Sequence, residues 1–139
     1  MFKPFHAAAV AVAVVLSFAA ESVAGHLVPA NPANCRTFAD NPHPSHHVPG
    51  TITAVVRQVC PVVVERNSTE AKLWEKRWWG YAVIAGPRFS NLTTSKTSRI
   101  NVASRCRNNS IRVTGFGHYL WAGQHIRSAE VFNTKHVAC

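Results

Sequence analysis

The sequence predicts an all-β fold, a small antiparallel β-sandwich or partly open barrel with an irregular Pro-rich N-terminal arm and two disulfides. Three observations lead there. β-Branched residues crowd the stretch after Thr51, turn residues recur at close intervals behind it, and four cysteines are spread over a chain of 139 residues. β-Branched side chains are stiff at χ1 and suit an extended backbone. Several short strands with turns between them make a sandwich or barrel.

The first segment reads as an export signal. Lys3 is its positive charge, Ala7 to Ala20 its apolar run, and Ser22 and Ala24 its small residues before a cleavage site expected between Ala24 and Gly25. A membrane anchor is the rival reading. A spanning helix needs about 20 apolar residues, whereas this run has 14 and is rich in weakly apolar Ala. No cysteine follows the run closely, which argues against lipid attachment. The expected product is a secreted chain, residues 25–139, with no transmembrane segment.

Residues 25–50 form the arm. Pro29, Pro32, Pro42, Pro44, Pro49 and Gly50 punctuate it too often for a regular element. The domain proper is expected over 51–139. From Thr51 to Glu65, Ile52, Val55, Val56, Val59, Val62, Val63 and Val64 put apolar residues on both faces, as in an inner strand. Pro61 implies a bend or an edge position. Residues 70–85 fit two readings. Asn67 as N-cap, Glu70 at N3 and Gly80 as a stop would make a helix. The Trp pair, Tyr81 and the run Ala82-Val83-Ile84 favour a strand.

Leu92 to Ala103, with Ile100 and Val102 in phase, reads as a half-exposed strand, and Ile111 to Phe116 alternates cleanly. His118 to Ala122 and Ile126 to Phe132 follow as further strands. Gly86-Pro87, Arg107-Asn108-Asn109 and Ala122-Gly123-Gln124 supply turns. There is no repeat and no sign of a second domain.

The formal net charge is +9. The signal segment carries one cation, Lys3, and one anion, Glu21, so the remainder keeps that balance. Such a charge favours anionic partners and opposes self-association, so a monomer is expected. Cys35, Cys60, Cys106 and Cys139 all follow the signal, and an even count in an exported chain reads as two disulfides. Three pairings satisfy the count. Cys35–Cys60 with Cys106–Cys139 needs the shortest closures and is preferred. A zinc site is disfavoured because no C-x2-4-C pair occurs.

The stretch Asn41-Pro42-His43-Pro44-Ser45-His46-His47-Val48-Pro49-Gly50-Thr51, then Cys60, then Arg77-Trp78-Trp79-Gly80-Tyr81, resembles small exported actinobacterial four-cysteine proteins of unassigned function. The resemblance runs from about Cys35 to Cys139 and includes the cysteine layout. It implies that the region before the Trp pair is extended, which supports the strand reading. It carries no catalytic or binding residue.

Three groups of residues could carry chemistry. His43, His46 and His47, near Asp40, could ligate zinc or copper through neutral imidazole. The plainer reading is a Pro-rich turn whose histidines bond to backbone or water. Lys72, Trp74, Lys76 and Trp78 would share one face of a strand, where indoles stack on sugars or bases and ammonium groups hold phosphate or carboxylate. The plainer reading packs both indoles under a neighbouring element, covered by the lysine stems. Finally, His118 or His125 with Glu130 or Arg127 could serve as acid, base and phosphate contact in a small nuclease.

No two-carboxylate motif, no G-x-S-x-G elbow and no cofactor motif occurs. The sequence therefore favours a non-catalytic domain binding an anionic or carbohydrate envelope polymer. A small secreted hydrolase or toxin acting on RNA or cell-wall polymer is the alternative. Asn67-Ser68-Thr69, Asn91-Leu92-Thr93 and Asn108-Asn109-Ser110 match the N-glycosylation pattern, which in a bacterium is chance and in a eukaryote would mark exposed loops.

Overall fold

The computed structural model describes residues 31–139, so the expected signal, its cleavage site and the start of the arm lie outside the described residues. The described residues are all-β. Eight strands run in order: β1 (Arg36–Ala39), β2 (His43–Pro44), β3 (Thr51–Arg77), β4 (Gly80–Phe89), β5 (Thr93–Arg105), β6 (Asn109–Trp121), β7 (Gln124–Arg127) and β8 (Val131–Val137). Every pairing is antiparallel.

β3 organises the sheet. It has 27 residues, which at about 3.3 Å per residue would stretch about 90 Å if straight. A body of this size cannot hold a straight strand that long, so β3 bends. The bend lies where its pairing with β5 skips from Val59 to Val64 and then to Asn67, and where its pairing with β6 skips from Glu65 to Ser68. Pro61 falls in the first gap, where its missing N–H costs no ladder bond. Arg66, at φ 49°, adds a left-handed kink. Before the bend β3 is flanked by β1, β2 and β5; after it, by β4 and β6. The result is the partly open form of the expected fold, one curled antiparallel sheet shaped as a half-barrel.

The two halves of β3 face each other across the core. Ile52, Ala54 and Val56 from the first half meet Ala71 and Leu73 from the second, with Val102, Ile111, Val113 and Val137 closing the cluster. Burying an apolar side chain of this kind stabilises by about 1.5–3 kcal/mol. A smaller cluster of Ala33, Cys35, Cys60, Val64, Tyr119 and Ile126 seals the bend. Cys35–Cys60 and Cys106–Cys139 are both bonded, the pairing preferred from closure length. Cys35 and Cys60 stand one step beyond the β1–β3 pair Arg36–Val59, so that bond extends an existing register.

Some elements differ from expectation. The arm is not wholly irregular, because β1 and β2 pair with Val56–Val59 and Ile52–Thr53. Residues 109–121 form one strand rather than two. The run Ile126 to Phe132 is instead broken between β7 and β8. Residues 70–77 are strand, as the Trp and Val content favoured over the helix.

Candidate functional site

Alternation along β3 sorts the second half of the strand into two faces. Ala71, Leu73 and Glu75 point to the buried side; Glu70, Lys72, Trp74 and Lys76 point outward. The register carries that outer face across the sheet. Trp74 lies between Val83 of β4 and Arg112 of β6, Arg112 is opposite Thr134 of β8, and Thr114 is opposite Phe132. Glu70 lies between Phe89 and Phe116, and His118 is opposite Arg127 of β7.

The outer face interleaves cations with aromatic rings. The Arg112 guanidinium sits 4.0 Å from the Tyr81 ring and 5.2 Å from that of Phe132. Arg127 stacks 3.6 Å over Phe116, and the Lys72 ammonium lies 5.8 Å from the Trp74 ring. Such stacking orients each cation and leaves its outward N–H groups for an anion. Phe89 and Phe132 are exposed by 60 % and 64 %, large rings that fill no core.

The predicted Lys72, Trp74, Lys76 and Trp78 ladder is present for its first three members. Trp74 is half-buried and donates from Nε1 to Thr114 Oγ1 at 2.7 Å, so one edge of the indole is tied down. Trp78 departs from the expected face, because β3 ends at Arg77 and Trp78-Trp79 is the tip of the β3–β4 hairpin. Trp78 is 96 % exposed and Trp79 59 %. Lys76 and Arg77 precede them, with Arg77 turned to Glu75 at 3.6 Å.

At the other end of the outer face the two predicted histidines come together. His118 Nδ1 lies 3.3 Å from His125 Nε2, and the rings stack with centroids 5.2 Å apart. His118 Nε2 lies 3.3 Å from Glu70 Oε2, and the Arg127 guanidinium reaches the same carboxylate oxygen at 3.9 Å. Burial pushes the His118 pKa below that of a free imidazole, and the neighbouring His125 and Arg127 add to this; the Glu70 hydrogen bond opposes it. The Glu70 carboxylate is an acceptor, so Nε2–H is the donor in that contact, and Nδ1 faces His125.

The strand beneath is held by an internal amide network. Gln58 Nε2 donates to Asn67 Oδ1 at 2.9 Å and to the His118 carbonyl at 3.1 Å. Asn67 donates in turn to the Ser95 carbonyl at 3.1 Å. These bonds replace the ladder that the bend in β3 interrupts. Gly117 permits the arrangement, because a Cβ there would occupy the position of the Gln58 amide and crowd Thr37 Oγ1.

From sequence, the expected partners of these histidines are Glu130 or Arg127. Arg127 is present, but the carboxylate is Glu70. The available signal was phase, since Glu70 precedes Lys72 and Trp74 on the same strand face. Among the described residues no hydroxyl or thiol hydrogen-bonds either ring. The His43, His46 and His47 loop is elsewhere, at the β2 end. The His43 and His46 rings are 5.9 Å apart, and His43 Nδ1 meets the Asn41 carbonyl at 3.0 Å. Asp40 turns to Arg57 at 3.5 Å instead of joining them. No group of three or more His, Cys, Asp or Glu side chains suited to a metal occurs among the described residues.

No helix among the described residues is long and apolar enough to cross a membrane. Comparison with known proteins found no matching family model, no matching curated protein and no matching solved structure.

Proposed function

We propose that this chain is an exported, disulfide-tied basic domain that binds an anionic, ring-bearing polymer of the cell envelope or medium along the outer face of β3, β4, β6 and β8. One observation carries the reading: Arg112, Lys72 and Arg127 alternate with Tyr81, Phe132, Trp74 and Phe116 on a single sheet face. A sugar–phosphate chain offers the matching alternation of flat rings and anions. Rings stack on the aromatic side chains, and charge-assisted hydrogen bonds take the anions. The net charge of +9 steers such a polymer to the surface. Disulfides and the sequence of residues 1–24 support export.

The test is binding of a fluorescent single-stranded RNA oligomer and of a hexose-phosphate polymer, with dextran as a neutral control. Saturable, salt-sensitive binding of the charged polymers is expected. Equal or absent binding of all three contradicts the proposal.

A second reading rests on the cluster of Glu70, His118, His125 and Arg127. Two imidazoles, a carboxylate and a guanidinium beside a polymer-binding face are the side-chain types that cleave RNA, whose own 2′-hydroxyl is the nucleophile. Shortened products from RNA, but not from the same DNA sequence, would establish it. Intact RNA after prolonged incubation leaves the domain as a binder alone.

A further inference from the structure

We infer that His118 and His125 form a two-imidazole site for a divalent transition metal of the zinc or copper class, with Glu70 as the carboxylate that orients it. Two nitrogens each about 2.0–2.1 Å from one tetrahedral metal lie about 3.3–3.4 Å apart. His118 Nδ1 and His125 Nε2 are separated by 3.3 Å. An imidazole centroid lies about 1.1 Å behind its nitrogen, so two rings on one tetrahedral metal have centroids about 5.2 Å apart. The observed spacing is 5.2 Å. A linear N–H···N bond at the same nitrogen spacing would place the centroids about 5.5 Å apart. The ring planes are 21° apart, and the two spacings fit nitrogens that share one metal.

The surroundings fit a ligand pair. Metal-bound histidine commonly donates its other N–H to a carboxylate, which sets the tautomer and the ring angle. Glu70 Oε2 occupies that position on His118, at 3.3 Å from Nε2. The backbone is equally fixed, because Gln58 holds the His118 carbonyl and β6 and β7 are joined by a tight turn, with His118 opposite Arg127 and Leu120 opposite His125. Arg127 is a cation beside the pair. It is drawn to Glu70 and onto Phe116, which compensates its charge. No third protein ligand completes a group of three among the described residues. His125 is exposed, so the remaining coordination positions open to water or to an anionic group. Imidazole pairs suit zinc and copper better than magnesium or calcium.

The test needs no polymer, so it stands apart from the binding proposal. Purified, chelator-washed protein is titrated calorimetrically with Zn(II) and, separately, Cu(II). One equivalent binding at micromolar metal is expected, and none of Mg(II). His125→Ala alters an exposed side chain and should weaken binding by about tenfold or more with the near-UV spectrum unchanged. Glu70→Gln should weaken it by about tenfold to a hundredfold. His46→Ala should leave it unaltered. Electron paramagnetic resonance of the Cu(II) form should show two nitrogen ligands, one of which is lost in His125→Ala. Absence of binding, unchanged affinity in His125→Ala, or loss in His46→Ala instead would overturn the inference.

Discussion

Single residues at the β6 end of the sheet decide how the site is held. Gly117 has no room for a methyl group, because Gln58 and Thr37 fill the space where it would go. Overpacking of this kind typically costs about 1–3 kcal/mol. Gly117→Ala should therefore lower the urea midpoint measurably and release the His118 carbonyl from Gln58; an unchanged midpoint would show that the amide network yields. His118 supplies a second prediction. Its pKa is lower folded than unfolded, mainly through burial. As pH falls below about 6.5 the unfolded chain takes up the proton first, so stability drops with acid through this group and is fully present above that range. In chelator, the urea midpoint should fall between pH 7.5 and 5.5, and His118→Gln should flatten the fall. Equal slopes for the two proteins would contradict it. At this scale the sequence was partly legible. His118, His125 and Arg127 were candidates by type, but Glu70 is distant in sequence and joins them only through the β3–β6 register.

Elements were legible where composition was dense and obscure where the chain bends. The Val and Ile content of residues 51–65 marked an inner strand, and the Trp, Tyr and Val content of residues 73–84 marked another extended run. That residues 51–77 are one strand was hidden by Pro61, which implied a bend or an edge position, and by Asn67, which fitted a helix N-cap. The structure spans them with register shifts, and Gln58 and Asn67 supply the bonds that the ladder lacks. The expected break between Ile111–Phe116 and His118–Ala122 fell at Gly117, which instead serves close approach within β6. Ser128 has the opposite role. It receives the Gly117 N–H on Oγ at 2.8 Å and returns its own N–H to the Gly117 carbonyl at 2.9 Å, which lets the chain leave β7.

The β3–β4 hairpin carries the element-scale prediction. Trp78 and Trp79 project into solvent at its tip, whereas Trp74 is anchored to Thr114. Acrylamide should quench the tip indoles readily. Polymer binding should protect them if the tip shares the surface, and Trp78→Ala should remove most of the protected signal without altering stability by more than about 0.5 kcal/mol. Quenching unchanged on binding would confine the polymer to the flat part of the sheet.

At the scale of the molecule, cross-links and charge are the two controlling features. The disulfides span 25 and 33 residues of sequence. Chain-entropy arguments give about 3.5 kcal/mol for each closure. The Cys106–Cys139 bond ties the last residue to the β5–β6 turn, and Asn108 Oδ1 accepts the Cys139 N–H at 2.6 Å. Replacing both of these cysteines with serine should lower unfolding free energy by about 3–4 kcal/mol and fray β8 in hydrogen exchange; full protection of β8 would show that its pairing with β6 suffices. This pairing of cysteines was legible because sequential closure is short. The half-barrel form was not, since sandwich and open barrel share the same strand content and differ only in where β3 curls.

Positive charge is spread over both halves of the sheet, so attraction to anions alone does not identify a site. Arg99 and Arg105 of β5 lie on the other half, whereas Lys72, Arg112 and Arg127 alternate with aromatic rings. The most direct measurement is the salt dependence of binding to a single-stranded RNA oligomer for three proteins: wild type, Arg99→Gln with Arg105→Gln, and Arg112→Gln with Arg127→Gln. Each lost phosphate contact lowers the slope of log K against log salt by about 0.7. The Arg112/Arg127 variant should lose about 1.4 in slope and at least tenfold in affinity, and the Arg99/Arg105 variant should stay near wild type. Equal weakening in the two variants would mean that net charge, and not the cation–aromatic face, does the binding.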